Sequence, residues 1–109
     1  MQTEDFVKAL YLHVKQRKSR KSDVSYTAQL LEAGHEKIGR KICEESTEIL
    51  LELLRKDKKG MIRESADLLY HLTVAWIALN INPQQIADEL YKRQNDSGLE
   101  EKAARQNKL

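Results

Sequence analysis

The chain of 109 residues has little of what breaks or staples a backbone: one cysteine, one proline and four glycines. A single thiol, Cys43, excludes an intrachain disulfide, and with it a disulfide-stapled secreted framework or a cysteine-rich zinc site. The scarcity of proline and glycine, with little strand-like alternation, points away from a turn-rich β fold and toward an all-α protein. No charge of one sign dominates. Nineteen Lys and Arg stand against seventeen Asp and Glu, a formal net charge of +2, so no global field draws the chain to nucleic acid or to a membrane surface. Long hydrophobic runs are also missing. The most apolar stretch, "LLYHLTVAWIALNI" from Leu68 to Ile81, is interrupted by His71, Thr73 and Asn80 and falls short of the ~20 apolar residues of a membrane span. The opening "MQTEDFVKAL" carries acids where a secretory signal has positive charge. A reducing, cytoplasmic setting is the expectation.

At this length one domain is the default. We expect a helical domain over residues 1–95 and a polar tail over 96–109, either frayed or docked on a partner. A chain this short buries only about 60–70% of the surface its unfolded form exposes, so self-association is expected to help. The periodicity predicts an antiparallel helical bundle of about five helices. Phe6, Leu10 and Val14 recur at helical spacing over residues 4–16. The basic "KQRKSRK" that follows reads as a solvated connection or a phosphate contact. Asp23 or Ser25 can cap a short second helix that Gly34 ends. A third helix spans about 36–55. "RKDKKG" reads as a charged turn, and a fourth helix runs from about Met61 to Asn80. Asn82, Pro83 and Gln85 suit the cap, first and third positions of a fifth.

The third helix raises a problem of charge. At about 100° per residue, Ile38, Ile42, Ser46, Ile49, Leu50 and Leu53 share one broad face. Glu45 lies at its edge, Glu48 about 60° further round, and Glu44 and Glu52 flank them. Like charges three apart on a helix repel, the more so when partly buried. The fourth helix is apolar nearly all the way round, yet Glu64, Asp67 and His71 fall within about 60° of one another. A polar stripe on a buried helix is costly unless it is paired or bound. If the two helices form a hairpin, Glu45 and Glu48 can face Glu64 and Asp67, an oxygen-only cage that suits a hard divalent cation such as Mg²⁺ better than zinc. The plainer reading is a solvated acidic face salt-bridged to Lys37, Lys41, Lys58 or Arg63.

Glu-Glu-x-x-Glu at 44, 45 and 48, with Glu-x-x-Asp at 64 and 67, resembles the metal signature of the all-α NTP pyrophosphohydrolase (MazG-like) superfamily. Within it, "SYTAQLLEAG" (25–34), "KIGRKICEESTEI" (37–49) and "ESADLLYHLTV" (64–74) are similar to the phosphoribosyl-ATP pyrophosphatase family of histidine biosynthesis, over roughly residues 5–95. Cys43 stands where that family usually has another small residue. Many of its members are fused to a metal-dependent cyclohydrolase; this chain is too short to encode one and lacks its cysteines.

The resemblance implies Mg²⁺-dependent hydrolysis of 1-(5-phosphoribosyl)-ATP between its α and β phosphates. It implies Glu45, Glu48, Glu64 and Asp67 as metal ligands and Glu44 as a further ligand or water-orienting base. Lys37, Lys41, Arg63, His71, Ser25 and Tyr26 are candidate substrate contacts. Each also has a bland explanation: surface ion pairs for the cations, a helix cap for Ser25, a packed ring for Tyr26, and a satisfied core histidine or a partner to a ligating carboxylate for His71. Two other functions stay open at this point. One is pyrophosphohydrolysis of other, non-canonical nucleoside triphosphates. The other is a helical nucleic-acid-binding or adaptor module using "KQRKSRK", against which the near-neutral charge weighs. The apolar circumference of the fourth helix predicts a homodimer or higher homo-oligomer.

Overall fold

The computed structural model describes residues 5–94 and Arg105; the tail assigned above to 96–109 lies, except for Arg105, outside the described residues. Five helices follow in order: α1 (Phe6–Lys18), α2 (Tyr26–Ala33), α3 (His35–Arg55), α4 (Lys58–Ala78) and α5 (Pro83–Gln94). Among the described residues there is no strand, so the all-α expectation holds.

The joints between helices follow local chemistry. Ser25 is the cap of α2, its Oγ accepting from the Ala28 N–H at 3.2 Å and donating to the Arg17 carbonyl at 3.0 Å, which ties the start of α2 to the end of α1. Asp23, the other candidate, is exposed. Gly34 separates α2 from α3 in a single residue at φ 101° and ψ 176°, a conformation that side chains with a Cβ avoid. At the start of α5, Gln85 N–H donates to Asn82 Oδ1 at 3.2 Å and Asn82 N–H to Gln85 Oε1 at 2.9 Å. This reciprocal pair is the capping box expected there.

The segment read as a charged turn is mostly helix. Lys56 closes α3 in a left-handed conformation at φ 58°, and Asp57 caps α4 by accepting from the Gly60 N–H at 3.0 Å. The fourth helix therefore starts at Lys58, three residues before the expected Met61, because an aspartate cap outweighs a lysine-rich, glycine-containing first turn.

With two residues between them, α3 and α4 fold back as an antiparallel hairpin. Ile38 and Ile42 share a small cavity of about 180 Å³ with Ala75 and Ala78 at one end, Glu45 faces Glu64 and Asp67 in the middle, and Glu52 lies over Gly60 at the other end. The helices α1 and α2 cover the first of these regions, and Tyr26 at the start of α2 reaches the second. In the first, Val14, Leu30, Ile38, Val74 and Ile77 form the core, with Leu10, Leu31, Ile42 and Tyr70 packed around it. The hairpin's far end is uncovered. Leu50, Leu53, Leu54 and Ile62 are 53%, 62%, 71% and 70% exposed. The broad face expected to bury Leu50 and Leu53 is thus buried within one chain only near Ile38, because the shorter α1 and α2 end before reaching them. The α4 circumference likewise leaves Ile62 and Leu79 open. The fifth helix packs on α1 and contributes no buried residue.

Candidate metal centre and active site

Seven residues, two turns of helix, separate Ile38, Glu45 and Glu52, so all three lie near one line along α3. Ile38 is buried in the core and Glu52 is buried near the turn. Glu45 between them is held at the hairpin seam with its side chain 12% exposed. From α4, Glu64 and Asp67 project to the same point, one turn apart. One carboxylate oxygen from each of Glu45, Glu64 and Asp67 lies within 4.8 Å of the others. Three acids held this close repel. Desolvation raises the Glu45 pKa, His71 opposes the rise, and the charges of Asp67 and Glu64 add to it. The donor set suits a hard cation: three carboxylate oxygens from two rigid helices, half-open to water, with no thiolate among them. The acids expected from sequence at 45, 64 and 67 are therefore brought together.

Glu48 and Glu44 are placed differently. Glu48 is exposed one turn beyond Glu45 and is not in the three-acid group. Glu44 points outward and pairs with Lys41 at 3.3 Å. Arg63 lies 3.7 Å from Glu64, so the acidic site has one guanidinium at its rim. Lys37 is exposed on α3.

His71 turns its ring into the site. Its Nδ1 lies 2.9 Å from Glu45 Oε1 and 2.9 Å from the backbone carbonyl of Asp67. Two acceptors at one nitrogen place the proton there, shared between them. The other ring nitrogen, Nε2, is 3.1 Å from the Tyr26 hydroxyl. Desolvation is the main cause that raises the Tyr26 pKa, which keeps the phenol protonated. The Tyr26 ring stacks on Tyr70 at 6.0 Å between centroids, and the Tyr70 hydroxyl hydrogen-bonds the buried Thr27. The first turn of α2 is thereby fastened to α4 beside the acids. Sequence reading named Tyr26 and His71 without joining them.

The family model of phosphoribosyl-ATP pyrophosphohydrolase matches residues 7–94, which includes every residue of this site. The chain belongs to that family. A phosphoribosyl-ATP pyrophosphatase of Gluconobacter oxydans (strain 621H) is 39% identical over 105 residues, covering 96% of this chain and 79% of the relative. One of Azospirillum brasilense is 44% identical over 96 residues, covering 88% and 86%. The histidine biosynthesis bifunctional protein HisIE of Helicobacter hepaticus (strain ATCC 51449 / 3B1) is 44% identical over 96 residues, 88% of this chain and 42% of that protein.

Within this family member a second acidic group was not anticipated as such. Glu52, expected to flank the acidic face, is buried, and its carboxylate accepts from Arg55 at 3.1 Å. Its tip occupies the space a Cβ on Gly60 would need, with Oε2 1.7 Å from that position. The seven-residue step from Glu45 was the available signal.

Among the described residues no helix is long and apolar enough to cross a membrane.

Proposed function

We propose that this enzyme hydrolyses 1-(5-phosphoribosyl)-ATP to 1-(5-phosphoribosyl)-AMP and pyrophosphate in histidine biosynthesis, using Mg²⁺ held by Glu45, Glu64 and Asp67. The observation that carries the reading is the convergence of those three carboxylates across the α3–α4 seam in a chain of this family. A polyphosphate meeting three carboxylates would be repelled unless cations stood between them. Bound there, Mg²⁺ would neutralise the phosphate oxygens and lower the pKa of an attacking water.

The chain's own groups have distinct tasks. Glu45, Glu64 and Asp67 hold and orient the cation. Glu48, exposed one turn along α3, is a further ligand from the solvent side. Glu44, engaged by Lys41, is either another ligand or the acceptor that orients water. Lys37, Lys41 and Arg63 on these two helices supply positive charge for the substrate phosphates, and Ser25 acts by fixing the α2 cap next to Tyr26. Hydrolysis breaks the anhydride bond between the α and β phosphorus atoms; water supplies the oxygen to the nucleotide, and pyrophosphate leaves with the bridging oxygen.

A second chain is part of the reading. The side chains Leu50, Leu53, Leu54 and Ile62 lie exposed at the far end of the hairpin. Full burial of a leucine or isoleucine contributes roughly 1.5–3 kcal/mol, and a symmetric dimer is the commonest way to cover such a face. We assign that face to a homodimer of a cytoplasmic enzyme. Sedimentation at micromolar concentration should give twice the chain mass, and Leu53→Glu should shift it toward the monomer. A wild-type monomer contradicts the assignment.

The test of function is pyrophosphate release from phosphoribosyl-ATP with and without Mg²⁺, beside a panel of nucleoside triphosphates. Release confined to phosphoribosyl-ATP and dependent on Mg²⁺ is expected. Preference for the triphosphates, or release undiminished by chelator, overturns the substrate or the metal respectively.

A further inference from the structure

His71 spans three elements at once. Its Nδ1–H is shared between the Glu45 carboxylate on α3 and the Asp67 carbonyl on α4, both at 2.9 Å, while its Nε2 meets the Tyr26 hydroxyl from the first turn of α2 at 3.1 Å. The ring is buried, with its side chain 9% exposed, and lies edge-on to both Tyr26 and Tyr70 at 5.9 and 5.5 Å between centroids. A buried imidazole held at both nitrogens and set edge-on between two tyrosine rings has one orientation. Glu45, by contrast, is a flexible side chain pushed away by two neighbouring acids, and His71 Nδ1 holds it at 2.9 Å.

We propose that His71 and Tyr26 form a positioning pair for the acidic site: the His71 Nδ1–H ties Glu45 to the turn of α4 that carries Asp67, and the Tyr26 hydroxyl anchors the far side of the ring. The pair acts through Glu45 and touches neither the phosphates nor water in the reaction. Its effect is preorganisation. Without it, repulsion among the three acids swings Glu45 out of the group, and a cation must draw it back. The inference rests on the assignment of Glu45, Glu64 and Asp67 as a cation site.

Three variants separate hydrogen bonding from packing. His71→Phe fills the space without a donor. His71→Asn keeps an N–H donor where Nδ1 lies but loses the reach to Tyr26. Tyr26→Phe keeps both ring contacts and removes the hydroxyl. Binding of Mn²⁺, followed as loss of the free-ion resonance, is the readout, with thermal midpoint and the ¹⁵N spectrum of His71 beside it. Outer partners of metal ligands typically contribute 10–100-fold in affinity, so His71→Phe should weaken Mn²⁺ by roughly that factor, with His71→Asn recovering most of it and Tyr26→Phe losing about threefold to tenfold. The spectrum of the wild type should show a protonated Nδ1, and an unprotonated Nε2 wherever the ring is neutral.

Wild-type Mn²⁺ affinity in His71→Phe overturns the proposal, as does equal loss in His71→Phe and His71→Asn, which would assign the effect to packing. An Nε2-protonated, Nδ1-bare ring also overturns it. A wild type that binds no Mn²⁺ fails at the earlier step, the cation site itself, and removes the basis of the pair with it.

Discussion

Two acidic groups lie along the same hairpin, Glu45 with Glu64 and Asp67 in the middle and Glu52 with Asp57 at the turn, about 10 Å apart by the helical rise. They differ in what answers their charge. At the turn the answer is internal: the Gly60 amide, donating to Asp57 at 3.0 Å, lowers the Asp57 pKa, and Arg55 pairs with Glu52 at 3.1 Å. In the middle, three carboxylates face one another; the His71 proton reaches Glu45, and Arg63 lies 3.7 Å from Glu64 at the rim. Closeness of acids alone therefore does not mark a cation site. The surplus of negative charge in the middle is what the proposed cation would answer.

The largest effect that sharpens this contrast is on catalysis. Asp67→Asn should lower pyrophosphate release roughly 100-fold or more, since even outer partners of metal ligands typically cost 10–100-fold, while its thermal midpoint holds or rises because a repelling charge is gone. Glu52→Gln should leave turnover nearly unchanged. If the two variants lose activity equally, the distinction between the groups is wrong.

Cation binding comes next. With Mg²⁺ at 100 times its dissociation constant, linkage should stabilise the wild type by about 2.7 kcal/mol. Chelator should remove that gain, and calorimetry of Glu45→Gln should show little of it. The same gain should persist in Glu52→Gln.

Smaller still is the effect of crowding the turn. Gly60→Ala places a Cβ on the Glu52 carboxylate; since that carboxylate is the end of a flexible chain, the cost is its lost hydrogen bonds, about 1–2 kcal/mol. Adding Glu52→Ala removes the clash, so a denaturant double-mutant cycle should show coupling between the two sites. Simple additivity would mean that Glu52 does not occupy the space over Gly60.

The two groups should also respond to pH with opposite sign. In chelator, the folded chain binds a proton at Glu45 more tightly than the unfolded chain, whose ordinary value is 4.5. Stability should therefore rise as pH falls from the raised folded pKa toward 4.5. Asp57 is lowered from 3.8, so its contribution is present above 3.8 and is lost as pH falls through its lower folded value. Denaturation midpoints across this range should lose the first limb in Glu45→Gln and the second in Asp57→Asn.

Much of this was legible from residues alone. Helical periodicity, a cap at Asp23 or Ser25, the Gly34 break and the Asn82–Gln85 box are local properties, and they place the starts of α3 and α5 and the end of α2 within about a residue. The motif Glu-x-x-Asp puts Glu64 and Asp67 on one face whatever surrounds them. The start of α4 was misplaced because Lys58, Lys59 and Gly60 look like turn residues until Asp57 is known to cap them.

What the sequence by itself determined is the set of helices and the face on which each acid stands, because both follow from backbone geometry repeating every 3.6 residues. Only the tertiary structure decided which faces meet. Register across the hairpin sets Glu45, not Glu48, against Glu64 and Asp67, and sets Glu52 over a glycine that has room for it. The reach of α1 and α2 leaves Leu53 and Ile62 bare while Ile38 is sealed. Such outcomes depend on distances between residues far apart in the chain, which no local periodicity encodes.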